Sequence, residues 1–161
     1  MSAYDEEFES TESGASLTIP ISAGNIKKGG HMLINGRPVK VVDYSTSKTG
    51  KHGHAKANIT GIDIFNGRKL EDVVPASHGC EEPILKRNEY QVLSYTEEGY
   101  LSLMDALGNV RDDMHFPTET ENDAVITKKI QEGCDNMEDI YCTVLASMNI
   151  EKVIEAAVKT N

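Results

Sequence analysis

Two Asn-Gly dipeptides, Asn35-Gly36 and Asn66-Gly67, each stand between short β-prone runs, and they constrain this fold more than any other feature. Asn-Gly supplies the positive φ that a tight turn needs, so it marks a hairpin wherever extended runs flank it. "HMLING", followed by Arg37-Pro38 and "VKVVDY", predicts two strands joined at Asn35-Gly36. "KANITGIDIF" then alternates with strand period, with Ile62 and Ile64 as its apolar positions, and "NGRKLEDVV" follows it. Four or more short strands, with turns about every eight to ten residues, predict a small barrel over residues 17–85.

"SHGCEEPILKR" reads as a connector, and a split into two domains is expected near residues 85–88. A second β-rich block follows: "YQVLSYT", a Glu-Glu-Gly turn, "YLSLMDAL", a Gly-Asn turn and "VRDDMHF". Leu101, Leu103 and Leu107 alternate there as in a half-buried strand. "ENDAVITKKIQEG" has helical composition with Gly133 as its stop, and "DIYCTVLASM" reads as a buried strand. "NIEKVIEAAVKT" spaces Ile150, Val153, Ile154, Ala157 and Val158 along one helical face, with Asn149 as N-cap. The expected fold is therefore mainly β. Residues 86–161 form a five-stranded oligonucleotide-binding (OB) type barrel with an inserted helix and a C-terminal helix. With no Trp and 6% aromatics, both cores must be built from Val, Ile and Leu.

Charge divides the chain further. The net charge of -10 is made of -5 over residues 1–24, +5 over residues 25–87 and -10 over residues 88–161. Residues 1–16 read as a disordered acidic tail. They lack the basic start and apolar centre of a secretory signal, and no apolar run approaches the roughly 18–20 residues of a membrane span, so an intracellular protein is expected. Cys80, Cys134 and Cys142 are not spaced as a disulfide framework and read as reduced thiols. The basic middle contains "STSKTGKHGHAK", residues 45–56, with three lysines, two histidines, no acid and no apolar side chain larger than alanine. Such a run cannot be core, and it joins "VKVVDY" to "KANITGIDIF" as the far end of a long hairpin.

Three catalytic readings of this run fail on its residues. A Walker A loop needs G-x-x-x-x-G-K-[ST], but Ser45 stands where the first glycine belongs and His52 follows Lys51. His52, His54, His78 and Cys80 supply zinc-type ligands, yet paired Cys-x-x-Cys spacings are absent. No G-x-S-x-G elbow is present, so any nucleophilic triad would be arbitrary. What remains is contact made by the loop, or chemistry done to it. Gly50 and Gly53 bracket Lys51-His52, remove bulk on both sides of one lysine and permit close approach of another surface. Lys51 is then a phosphate contact or a residue inserted into a pocket elsewhere, with a solvated turn as the plain alternative.

"STSKTGKHGHAK", continued by "GIDIFNGRKLEDVVPASH", resembles the hypusine loop and following strands of the eukaryotic translation factor 5A family. "IKKGGHMLINGRPVKVVD" is similar to the run leading into that loop, and "YLSLMDALGNVRDDMHFP" resembles the family's second domain. "HGCEEP" and "TETENDAVITKK" depart from the family, and beyond about residue 118 the likeness is one of pattern.

The resemblance implies an SH3-like barrel followed by an OB-fold domain, and conversion of Lys51 to hypusine from spermidine by deoxyhypusine synthase and deoxyhypusine hydroxylase. It implies a non-enzymatic cytoplasmic factor with no cofactor beyond that covalent group. Such a factor binds the ribosome at the exit-tRNA site, near peptidyl-tRNA and ribosomal RNA, and favours peptide bond formation at proline runs and termination. Lys48, His52 and Lys56 would hold phosphates, Gly50 and Gly53 would allow close approach, and Thr49 and His54 would support the loop. An alternative from another class is a general single-stranded RNA-binding or RNA-chaperone protein using the OB-type surface, although few aromatics are available for stacking. A metal enzyme built on the His/Cys set is a third.

Overall fold

The computed structural model describes residues 17–48 and 55–160. The chain divides into two compact units, with the main break after Ile84 and the short segment Ser147–Asn149 grouped with the first. The expected acidic tail, residues 1–16, lies outside the described residues.

In the first unit a four-stranded antiparallel sheet has the order β2 (His31–Ile34), β3 (Arg37–Lys48), β4 (Ala55–Asp63), β5 (Lys69–Pro75). Asn35 and Gly36 both take positive φ, 52° and 76°, and pair Ile34 with Arg37, as the Asn-Gly signal predicts. The second Asn-Gly serves a longer loop, in which Asp63 N–H donates to the Arg68 carbonyl and Gly67 N–H to the Asp63 carbonyl. A two-stranded sheet, β1 (Thr18–Ser22) with β6 (Gly79–Pro83), packs against β2 and completes a small barrel around Met32, Ile34, Val39, Val41, Ala57 and Ile59. "HGCEEP" is thus mostly a strand, because β1 supplies it with a partner that no local pattern reveals.

The inward face of β4 also differs from expectation. Ala57, Ile59, Gly61 and Asp63 point inward, while Ile62 and Ile64 are only half-buried. The apolar pair was misleading because a glycine and an acid occupy two of the four inward positions. Gly61 is there because Val39 leaves no room: a β-carbon would lie 2.8 Å from that of Val39, which is fully buried and cannot swing away.

The second unit holds a five-stranded antiparallel sheet in the order β11 (Ile150–Val158), β10 (Ile140–Ser147), β7 (Lys86–Tyr95), β8 (Tyr100–Met104), β9 (Val110–His115). The edge strands β9 and β11 are tied by Arg111, whose guanidinium donates to both carboxylate oxygens of Glu151 at 2.8 and 2.9 Å. Helix α1 (Glu121–Asp135) lies between β9 and β10, the place an OB-type barrel reserves for it. Thr120 and Asp123 form a reciprocal capping box at its start. Its end lies two residues beyond Gly133, which is buried and small because the Ile140 side chain packs onto it, 2.8 Å from where a β-carbon would be. Asn136 and the left-handed Met137 (φ 56°) close the helix instead.

The expected C-terminal helix is strand β11. Met148 and Asn149, both at positive φ, turn the chain back onto β10, so Asn149 is a turn residue and no N-cap. Pairing along β10 outweighs the helical preference of Glu155-Ala156-Ala157, and β-branched Ile150, Val153, Ile154 and Val158 suit a strand. Leu107 lies in the β8–β9 turn, 87% exposed, and does not extend the Leu101–Leu103 alternation. The thiols of Cys80, Cys134 and Cys142 are free, and burial pushes that of Cys142 up to about 12, with Glu89 adding to it. No helix among the described residues is long and apolar enough to cross a membrane.

Gly61→Ala should lower unfolding free energy by about 1–3 kcal/mol, the cost of overpacking a filled core. A urea midpoint equal to that of the parent chain would refute the close packing of β4 on Val39.

Candidate functional site

Strands β3 and β4 form one long ladder, from Val39 opposite Asp63 to Lys48 opposite Ala55. At the Asp63 end the ladder is anchored by a buried carboxylate, 2% exposed. One oxygen of Asp63 accepts the Phe65 and Asn66 amides at 2.8 and 3.0 Å, and the other accepts Arg37 Nε at 2.7 Å. Burial alone would raise the carboxyl pKa, but the Arg37 hydrogen bond and the two amides outweigh it and hold it below the usual value. Neither residue was singled out by the sequence reading. The signal was present in "DIFNG", where an acid precedes an Asn-Gly loop and is placed to accept its amides.

The other end of the ladder is held by backbone. Ala55 is the first residue of β4, and its carbonyl accepts the Ala76 amide at 2.8 Å. The Ala76 carbonyl accepts Gly24 N–H at 2.8 Å, and Ala23 N–H donates to the His78 carbonyl at 2.9 Å. Ala23 and Gly24 belong to a short 3-10 turn, Ala23–Asn25, that follows β1.

Of the sequence-predicted site residues, Lys48 ends β3, opposite Ala55, and Lys56 is exposed on β4 opposite Ser47. The two strands thus bring Lys48 and Lys56 to the same end of the ladder. Thr49, Gly50, Lys51, His52, Gly53 and His54 lie outside the described residues, in the six-residue connection between the paired Lys48 and Ala55. Among the described residues no group of three or more His, Cys, Asp or Glu side chains is arranged to hold a metal ion.

The OB-type unit offers a different surface. Arg111 lies over the Tyr90 ring at 5.8 Å and is shared between Asp113 and Glu151. Lys159 sits 4.4 Å from the Tyr141 ring centre and is bound to Glu89 at 2.6 Å. The Tyr95 hydroxyl donates to Asp135 at 2.8 Å, and its ring packs on Phe116. Lys152 is buried against Asp123 at 2.6 Å and Glu119 at 3.6 Å. The Tyr90 and Tyr141 faces and the cations against them are engaged with each other and with carboxylates.

Comparison with known proteins bears on both units. The family model "Translation initiation factor 5A-like, N-terminal" matches residues 16–78, and "Eukaryotic elongation factor 5A hypusine, DNA-binding OB fold" matches residues 84–157. The chain is 49% identical over 153 residues to Eukaryotic translation initiation factor 5A-2 of Arabidopsis thaliana, covering 95% of this chain and 94% of that one. It is 46% identical over 154 residues, with the same coverage, to the 5A-2 protein of Solanum lycopersicum. Among solved structures, a translation initiation factor 5A family protein from Naegleria fowleri superposes with a TM-score of 0.81 at 48% identity, covering 87% of this chain and 98% of that one. Eukaryotic translation initiation factor 5A from Methanococcus jannaschii gives 0.64 at 30% identity, covering 87% and 95%.

The Asp63 anchor has a pH signature. Its folded-state pKa is lowered, so its contribution is complete above the unfolded carboxylate value of about 3.9 and is lost as pH falls through the lower folded value. Asp63→Asn should cost about 1–3 kcal/mol at pH 7, and the gap to the parent chain should narrow below about pH 4. Urea midpoints at pH 7 and pH 3 measure this; a gap independent of pH would contradict the anchoring role.

Proposed function

The chain belongs to the eukaryotic translation initiation factor 5A family, and from that premise we propose that it acts at the ribosomal exit-tRNA site through hypusine at Lys51. The observation that carries the reading is the β3–β4 ladder. It supports, at the end closed by Lys48 and Ala55, the acid-free sequence in which Gly50 and Gly53 flank Lys51.

Deoxyhypusine synthase transfers an aminobutyl group from spermidine to Lys51, and deoxyhypusine hydroxylase hydroxylates the product. The lengthened side chain gains an amine, and with it roughly one positive charge, far from its backbone. Inserted beside the acceptor end of peptidyl-tRNA, it would hold phosphates in a geometry suited to peptide bond formation where proline runs slow it, and to termination. The chemistry belongs to the ribosome and the factor contributes positioning, so no catalytic residue of its own is assigned. Lys48, His52 and Lys56 contact phosphates of tRNA and ribosomal RNA around Lys51, with Thr49 and His54 supporting them. The site of action is the cytoplasm, and spermidine enters as the source of the covalent group.

The alternative, a general single-stranded RNA binder, draws little support from the OB-type unit. Tyr90 and Tyr141 lie beneath Arg111 and Lys159, and both cations are bound to carboxylates. Net charge over residues 88–161 is -10, which repels phosphate.

Intact-mass analysis of protein from its native cells should show the hypusine addition on the peptide containing Lys51. Lys51→Arg should keep the parent melting temperature, because residues 45–56 carry no side chain able to join the core, and should abolish support of proline-rich translation. An unmodified Lys51 in native protein, or full activity of the Arg variant, would sink the reading. Salt-dependent binding to arbitrary RNA, indifferent to the state of Lys51, would favour the alternative.

A further inference from the structure

The two Asn-Gly dipeptides share more than a turn signal, since each is followed by arginine: Asn35-Gly36-Arg37 and Asn66-Gly67-Arg68. An asparagine before glycine carries a latent reaction. Its side-chain carbonyl carbon lies within reach of the next backbone nitrogen, and glycine puts no β-carbon in the way. With the same tripeptide at both places, the fold decides which of the two reacts.

The fold treats them differently. Asn66 is half-buried and held at each group that the reaction must move. Its backbone N–H donates to Asp63 Oδ1 at 3.0 Å, and its side-chain oxygen accepts the Arg68 amide at 2.9 Å. The Gly67 nitrogen, which would attack, donates its proton to the Asp63 carbonyl at 3.0 Å. Asn35 and Gly36 are both exposed, at the tip of the two-residue turn between Ile34 and Arg37. Among the described residues no hydrogen bond holds the Asn35 side chain or the Gly36 N–H. Beyond its chain neighbours, nothing lies within 4 Å of where a Gly36 β-carbon would be.

We propose that Asn35 is a spontaneous modification site of the folded protein, its side-chain amide lost to attack by the Gly36 nitrogen, while Asn66 in the same tripeptide is spared. The Gly36 nitrogen forms a bond to Asn35 Cγ, the bond from Cγ to Nδ2 breaks, and ammonia leaves with the proton that Gly36 gives up. Water then opens the cyclic imide at either carbonyl. Opening at Cγ leaves aspartate in an unchanged backbone. Opening at the main-chain carbonyl leaves isoaspartate, with the chain running through Cβ and Cγ. Water is the only co-reactant. Isoaspartate adds a backbone atom to a turn whose geometry fits two residues of positive φ. It therefore loosens the pairing of Ile34 with Arg37 and, through Arg37, the grip on Asp63.

Full-length protein would be kept for days in mildly alkaline buffer, folded and in urea. Mass spectrometry would follow the peptides containing Asn35 and Asn66, and labelled methyl transfer to the isoaspartyl carboxylate would count that product. In the folded chain Asn35 should convert at least about tenfold faster than Asn66, the worth of the one or two hydrogen bonds that Asn66 must first break. In urea the two rates should converge. No conversion at Asn35, equal rates in the folded chain, or a preference for Asn35 that persists in urea would overturn the proposal. The isoaspartyl fraction, separated from the parent, should melt at a lower temperature; an unchanged melting temperature would overturn the loosening of the hairpin.

Discussion

The carboxylate of Asp63 ties β3, β4 and the loop toward β5 at one buried corner of the first unit. It is the last residue of β4, it receives the two amides that begin the turn toward β5, and it pairs with Arg37 at the start of β3. Two of the four strands in the sheet thus begin or end on one buried charge, and the loop toward β5 starts from it. A buried carboxylate without partners would take up a proton or open the structure, so the arrangement is self-consistent only when all its donors are in place. The remaining apolar positions then fill the space that this corner defines.

The second unit repeats the principle with different residues. Asp123 caps the first turn of α1, accepts the Glu119 and Thr120 amides at 2.9 Å, and grips Lys152 of β11. Burial opposes its ionisation, yet Lys152 and those amides prevail and keep the carboxyl below its usual pKa. The cost of isolating one partner of such a pair, about 3–5 kcal/mol, makes the helix and the edge strand mutually dependent. Arg111 bound to Glu151 and Lys152 bound to Asp123 thus use two of this acid-rich unit's cations to tie its edge strands and helix.

Much of this was legible from local signals. Asn35-Gly36, the Glu-Glu-Gly and Gly-Asn turns and the "DIYCTVLASM" strand act over a few residues, where sequence and conformation are directly coupled. The signals that failed depend on distant partners. "NIEKVIEAAVKT" has helical spacing but lies on β10, and "HGCEEP" becomes a strand only because β1 is there to receive it. In β3, Val41 lies opposite Gly61 and Asp43 opposite Thr60, so Val42 is a bulge that shifts the inward set in mid-strand and hides from any period-two reading. Within the candidate site, composition alone made residues 45–56 conspicuous, and the family resemblance singled out Lys51. Asp63 and Arg37, which anchor the hairpin carrying them, became visible only once the strands were paired.

The twelve residues of β3 have a mechanical consequence. At roughly 3.3 Å per residue, Lys48 stands about 35 Å along the strand from Arg37. Over that reach an angular error of about 5° at the anchored end displaces the far end by about 3 Å, the length of one hydrogen bond. A strand pinned only at Asp63 would act as a lever that magnifies small motions of its pivot. The far end is instead propped through β4, whose Ala55 carbonyl accepts the Ala76 amide, so the ladder is a beam supported at both ends.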